Sequence, residues 1–187
     1  MPIATATTNT TPNSVVEGQT ERLWTTWVAS DRVLAFIGEW ESGVLNGTFK
    51  SHPVVEGMIL DVYLDSRGLP TVGCGHLIVP QDHLVLGDTI TLQRAKDFLK
   101  QDLAIVERAV NAKIKVPLHQ YEYDTLVDLA FNAGTGNGFT KIAKKVNKGD
   151  YTKIPAFIKT YRTGGGNKKR RASQADLFES GEYDASH

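Results

Sequence analysis

One cysteine, Cys74, stands in a chain of 187 residues. An internal disulfide is therefore excluded, and the fold has no need of an oxidising compartment. Cys74 is expected to pack as a small apolar residue. Net charge is missing as well: 21 Lys and Arg balance 21 Asp and Glu, so the charge total selects no class of partner. The five histidines are scattered and have no cysteine neighbours, so neither a metal-ligand cluster nor a metal is expected. Long apolar runs are absent too. Residues 1–20 are rich in Thr, Asn, Pro and Ser, and their first charge is Glu17. They fit neither a secretory signal nor a transmembrane anchor. Residues 1–30 read as a flexible lead, and synthesis in the cytoplasm without a signal peptide is expected.

The length allows one domain, or two lobes sharing a core. Charge is balanced in total but uneven in place. Eleven basic residues lie from Lys141 to Arg171 against Asp150 alone. That face suits a polyanion such as a peptidoglycan with free carboxylates, a membrane surface or nucleic acid; the plainer reading is a solvated helical surface. Helical periodicity is clearest over 91–112, where Leu92, Ala95, Phe98, Leu99, Leu103 and Val106 recur three or four apart. Ser30 and Asp31 are placed to cap a helix ending at Trp40 or Glu41, with Ser42 and Gly43 terminating it. Residues 44–56 carry Asn46-Gly47 and His52-Pro53 and read as a loop or small hairpin. Further helices are expected over 120–131, 141–148, 152–161 and 168–179.

The densest signal is the stretch 58–76. Met58, Leu60 and Val62 alternate before a turn, and Val72 and Cys74 follow it, so two short strands should form a hairpin. Gly68 suits a positive φ, and Pro70 fixes the exit. Asp65 and Thr71 stand at opposite ends of that turn, where their oxygens can converge on one point, such as a water. The plainer reading makes both of them local backbone caps.

Tyr63-Leu64-Asp65, the turn, and Thr71-Val72-Gly73-Cys74-Gly75-His76 resemble the motif of the phage-type lysozymes, the muramidases of glycoside hydrolase family 24. Gln101-Asp102-Leu103, Phe131-Asn132-Ala133-Gly134, Gly138-Phe139-Thr140 and Lys169-Arg170-Arg171 before Leu177-Phe178 follow in the family's order. The similarity runs from about Asp31 to about Asp184. It implies an α+β, mainly helical lysozyme-like fold over 31–187. A small β-hairpin lobe (about 31–90) and a larger helical lobe (about 113–187) would be joined by a long helix (about 91–112). The implied activity is hydrolysis of the β-1,4 bond between N-acetylmuramic acid and N-acetylglucosamine in peptidoglycan, without metal or organic cofactor.

Glycoside hydrolysis needs a proton donor and a group that directs attack at the anomeric carbon. Two glutamates compete for the acid. Glu56 precedes Asp65 at the family's usual nine-residue spacing, but the residues before it make a poor helix. Glu41 ends a good helix, and removing residues 42–56 would join it to Gly57 and restore the pattern. Residues 42–56 thus read as an insertion after the acid, with Glu41 favoured and Glu56 the alternative. By resemblance, Asp65 and Thr71 hold the attacking water in an inverting displacement. Arg170, or failing it Arg171, is the acid's electrostatic partner, and His76 and Asp102 form a structural pair. Tyr63, Phe131, Asn132 and Gly134 contact substrate; a simple helix C-cap is the plainer role for Asn132.

Peptidoglycan is then the expected partner, with nucleic acid excluded and a monomer sufficient. Action on the wall, in the periplasm or outside the cell, would need a holin or a secretion apparatus, and an immunity protein is a further candidate partner. The rival functions are a wall-binding lysozyme-like module without turnover, a membrane-active basic segment within 141–171, and a lytic transglycosylase.

Overall fold

The computed structural model describes residues 22–24 and 26–187; the expectation for 1–21 lies outside the described residues. In chain order the elements are α1 (Asp31–Ser42), β1 (Gly47–Phe49), β2 (His52–Val55), β3 (Met58–Leu64), β4 (Pro70–Gly73), β5 (His76–Leu77), α2 (Leu92–Lys113), α3 (Gln120–Ala133), α4 (Asn137–Val146), α5 (Ile154–Thr160) and α6 (Lys168–Ser180). Short 3-10 turns lie at Pro80–Asp82 and Tyr151–Lys153. Two compact units result. One contains residues 34–102 with 184–187, the other the described residues up to 33 with 103–183. No described helix is long and apolar enough to cross a membrane.

The first unit holds the sheet. Its strands lie in sequence order β1-β2-β3-β4-β5, each pair antiparallel. Residues 44–56, read as a loop or small hairpin, form β1 and β2 and extend this sheet. The second half of β3 also bonds to a passing segment: Val62 N donates to Asp88 O at 2.8 Å, and Ile90 N donates to Leu60 O at 2.8 Å. Val54, Met58, Ile59, Val62, Val72 and Cys74 are buried, and the Cys74 thiol is free of any disulfide. Ser30 caps α1, its Oγ accepting from Val33 N at 3.3 Å.

Gly57 returns the chain to α1. A Cβ at Gly57 would lie 2.4 Å from Gly38 C and from Glu39 N, and its φ is +78°. Backbone therefore packs on backbone where the insertion ends. Gly57→Ala meets both the left-handed penalty, about 1–2 kcal/mol, and an immovable neighbour. It is expected to lower stability by about 3 kcal/mol or more, measured by urea unfolding.

The second unit is helical around α3, whose residues Glu122 to Ala130 are all buried. Its polar side chains are paired, as burial demands. Glu122 accepts from Arg22 Nε at 2.8 Å and from His119 N at 2.9 Å, and the Arg22 guanidinium lies 3.6 Å from the Tyr151 ring centroid. Asp124 accepts from Ser30 N at 3.1 Å, Gln120 Nε2 at 2.9 Å and Tyr183 Oη at 2.5 Å. Burial pushes its carboxyl up to about 6 despite these donors. Several described residues between 22 and 30, read from the sequence as lead, are bonded to this unit. Arg22, Leu23 (bridged to Leu118), Trp27 (bonded to Asn111) and Ala29 (bonded to Glu107) are docked parts of this unit.

Candidate active site

The hairpin of β3 and β4 organises the first group of candidate residues. In its register Tyr63 pairs with Thr71, so their side chains share one face, and Asp65 follows Tyr63 by two residues just beyond the strand. Asp65 Oδ1 accepts from Arg67 N at 2.8 Å and Leu69 N at 2.9 Å, while Oδ2 accepts from Arg67 Nε at 3.2 Å. The Leu69 amide above all, then the Arg67 donors, hold this carboxyl below its ordinary range. Thr71 Oγ1 donates to Leu69 O at 3.0 Å. Both side chains are therefore tied to Leu69, one through its N–H and one through its carbonyl. Both thus bond within their own turn, as local backbone caps do.

Glu41 stands in the last turn of α1 and is exposed. Burial, followed by the charges of Cys74, Asp65 and Glu41, raises the Tyr63 phenol above its usual value. Tyr63 therefore feels Glu41 and Asp65 together. Glu56 sits in the turn between β2 and β3 with φ +49°, and its Oε2 pairs with Lys96 Nζ at 2.7 Å. Next to Glu41, the Trp40 ring stacks on His187 with centroids 4.1 Å apart. Glu39 has its carboxyl raised by burial and by Asp184, with His187 opposing.

His76 reaches Asp102 through Nδ1 at 3.0 Å and Asp82 through Nε2 at 3.3 Å, and stacks on Phe98 with centroids 4.2 Å apart. Hairpin and α2 are tied within the first unit by this histidine. Asp82 was not anticipated; no local pattern marks it.

The other candidates belong to the helical unit. Arg170 is buried and pairs with Asp128, whose Oδ2 also accepts from Gln174 Nε2 at 2.5 Å. Arg171 donates to Tyr161 O at 2.8 Å, Gln174 Oε1 at 2.6 Å and Asn132 Oδ1 at 2.6 Å. Burial lowers the pKa of its guanidinium. Asn132 is thus pinned by Arg171 and is not the helix cap; Gly134, at φ +83°, caps α3. Phe131 is half-buried in the last turns of α3.

Comparison with solved structures defines the class. The endolysin from Escherichia coli O157:H7 phage FAHEc1 superposes with a TM-score of 0.66 at 26% identity, over 88% of this chain and 99% of that one. The fold is that of a lysozyme, α+β and mainly helical. The endolysin of Acyrthosiphon pisum secondary endosymbiont phage 1 is 38% identical over 135 residues, 67% of this chain and 90% of that protein. The endolysin of Salmonella phage P22 is 45% identical over 80 residues, 42% of this chain and 55% of that protein. The phage lysozyme family model matches residues 54–174. The chain belongs to the phage lysozyme family. It is a lysozyme, a muramidase of peptidoglycan. The family match contains Glu56, Asp65 and Thr71 and begins after Glu41.

Proposed function

We propose that Glu41 is the general acid of this muramidase and that Asp65 and Thr71 hold the attacking water. The supporting observation is the hairpin register, which sets Thr71 opposite Tyr63 with Asp65 two residues on. Glu41 stands in the last turn of α1; burial and, among the lesser causes, the charge of Glu41 raise the Tyr63 phenol. The return of Gly57 against Gly38 and Glu39 fits an insertion placed after Glu41.

The chemistry follows from the bonds. Thr71 Oγ1 spends its hydrogen on Leu69 O and meets a water as an acceptor. The Asp65 carboxylate, kept ionised by its amide donors, is a second acceptor. A water donating one hydrogen to each presents a lone pair for attack. Glu41 gives its proton to the departing glycosidic oxygen as the bond breaks. The water's proton passes to Asp65, and the anomeric centre inverts. The family resemblance assigns Arg170, whose guanidinium pairs with Asp128, as the acid's electrostatic partner, and Phe131, Asn132 and Gly134 as contacts to the N-acetyl sugars. His76 and Asp102 keep the hairpin fixed to α2. The enzyme acts on the wall after crossing the inner membrane through a holin or a secretion apparatus, and lysis follows.

Mass spectrometry of digested sacculi tests the reaction. Reducing muramic ends are expected; anhydro ends would mean a transglycosylase, and no release a binding module. Asp65→Asn separates cap from base, since the amide oxygen still accepts from Leu69 N. A loss of about 10²- to 10⁴-fold in kcat with little change in Tm is expected. Because the carboxyl lies below the ordinary aspartate range, its acid limb in kcat/KM should appear only below that range. Stability from the same group is present above the unfolded value and is lost as pH falls through the folded one.

A further inference from the structure

The β1–β2 hairpin, which interrupts the family pattern, brings an aromatic and a cation to the catalytic face. Phe49 pairs with His52 across the hairpin, so both share a face, and each ring meets Tyr63. The Phe49 and Tyr63 centroids are 5.8 Å apart at 64°, and those of His52 and Tyr63 are 5.6 Å apart at 34°. His52 is fixed from below. Its Nδ1 lies 3.4 Å from Asp61 Oδ2, and Asp61 Oδ1 accepts from Thr89 Oγ1 at 2.7 Å. Lys50 at the tip sets its Nζ 5.2 Å from the Phe49 ring centroid.

The tip is a tight two-residue connection with Lys50 at φ +46° and Ser51 at φ +74°. Asn-Gly is the usual solution for such a turn. A lysine is held instead in the left-handed region, uncommon for a residue with a side chain. Phe49, His52 and Tyr63 stay partly exposed, and Tyr63 continues the strip to Thr71 and Asp65.

We propose that this hairpin is a glycan-binding arm of the muramidase. The Phe49 and Tyr63 rings carry the apolar face of a sugar in the strand flanking the scissile bond, and Lys50 pairs with a carboxylate of its stem peptide. The inference rests on the catalytic reading above, because Tyr63 connects the arm to Asp65 and Thr71. The occupant is set by this continuity and by charge. A glycan strand that reaches the water site must pass Tyr63, and its stems bring the anionic groups that Lys50 complements.

The test compares steady-state kinetics on stem-bearing soluble peptidoglycan and on the same glycan with its stems removed by amidase. Phe49→Ala and Phe49→Leu should each raise KM about three- to tenfold on both substrates with kcat within about twofold, the range expected for one aromatic contact. Phe49→Tyr should restore KM. The leucine variant keeps apolar packing, so a folding defect in the alanine variant does not mask the result. Lys50→Gln should raise KM about threefold on the stem-bearing substrate alone, and 0.5 M salt should erase that difference, as expected on the order of screening at this ionic strength. An unchanged KM in Phe49→Leu and Lys50→Gln overturns the arm while leaving the muramidase reading intact. Failure of the wild-type protein to release reducing ends removes the muramidase reading itself.

Discussion

Glu41→Gln is expected to lower kcat by roughly 10²- to 10⁴-fold, with Glu56→Gln staying within about threefold of wild type. The two glutamates differ in how the backbone presents them. Glu41 projects from a helix terminus whose preceding turns are anchored by Leu34, Phe36 and Ile37, all buried. Glu56 occupies a turn at φ +49° and its carboxylate is taken by Lys96 at 2.7 Å. That pair is partly exposed, so its loss should cost only about 0–1 kcal/mol. Reducing-end release from sacculi, read beside Tm, separates the cases. Full activity in Glu41→Gln together with an inactive Glu56→Gln would transfer the acid to Glu56, at the cost of the insertion reading.

Asp128→Ala is expected to have the largest effect on stability. Asp128 is fully buried on α3 and receives Arg170 and Gln174 of α6, while Gln174 in turn receives Arg171. Removing the carboxylate breaks a buried ion pair by taking away one member, which typically costs about 3–5 kcal/mol. For a chain of this size Tm should fall by roughly 6–20 °C. Asp128→Asn keeps an acceptor and should lose less. Calorimetry on both variants checks the ranking; equal, small losses would mean that Arg170 is satisfied without Asp128.

The sequence already carried much of this architecture. The long helix read over 91–112 is α2, Leu92–Lys113, because a regular apolar stripe and a following Pro117 leave little freedom. The β3–β4 turn was equally legible, since Asp65, Gly68 and Pro70 encode it locally. What escaped depends on distant partners. Residues 22–30 looked like lead, yet their hydrogen-bond partners lie 78 to 100 residues away and leave no local trace. The reading of α3 found its apolar residues and missed that Glu122, Asp124 and Asp128 are buried with them. Glu122 is paired by Arg22, Asp124 by Ser30 and Tyr183, and Asp128 by Arg170, all from the first and last described segments. Helix α4 starts at Asn137, earlier than the expected 141, because Gly138 serves packing and does not break the helix. A Cβ there would lie 3.0 Å from Ala133 O. In the proposed site, Asp65 and Thr71 come from the motif. Phe49 and His52 do not, because the insertion has no counterpart in the pattern and only strand register turns their rings toward Tyr63.

The closing of the chain at Gly57 against Gly38 has an evolutionary corollary. An excursion that departs from and rejoins the same stretch of helix can lengthen, shorten or be exchanged without displacing the flanking scaffold. Residues 42–56 are thereby a cassette. With the arm proposed above, exchanging that segment is expected to change wall preference and leave the reaction chemistry untouched.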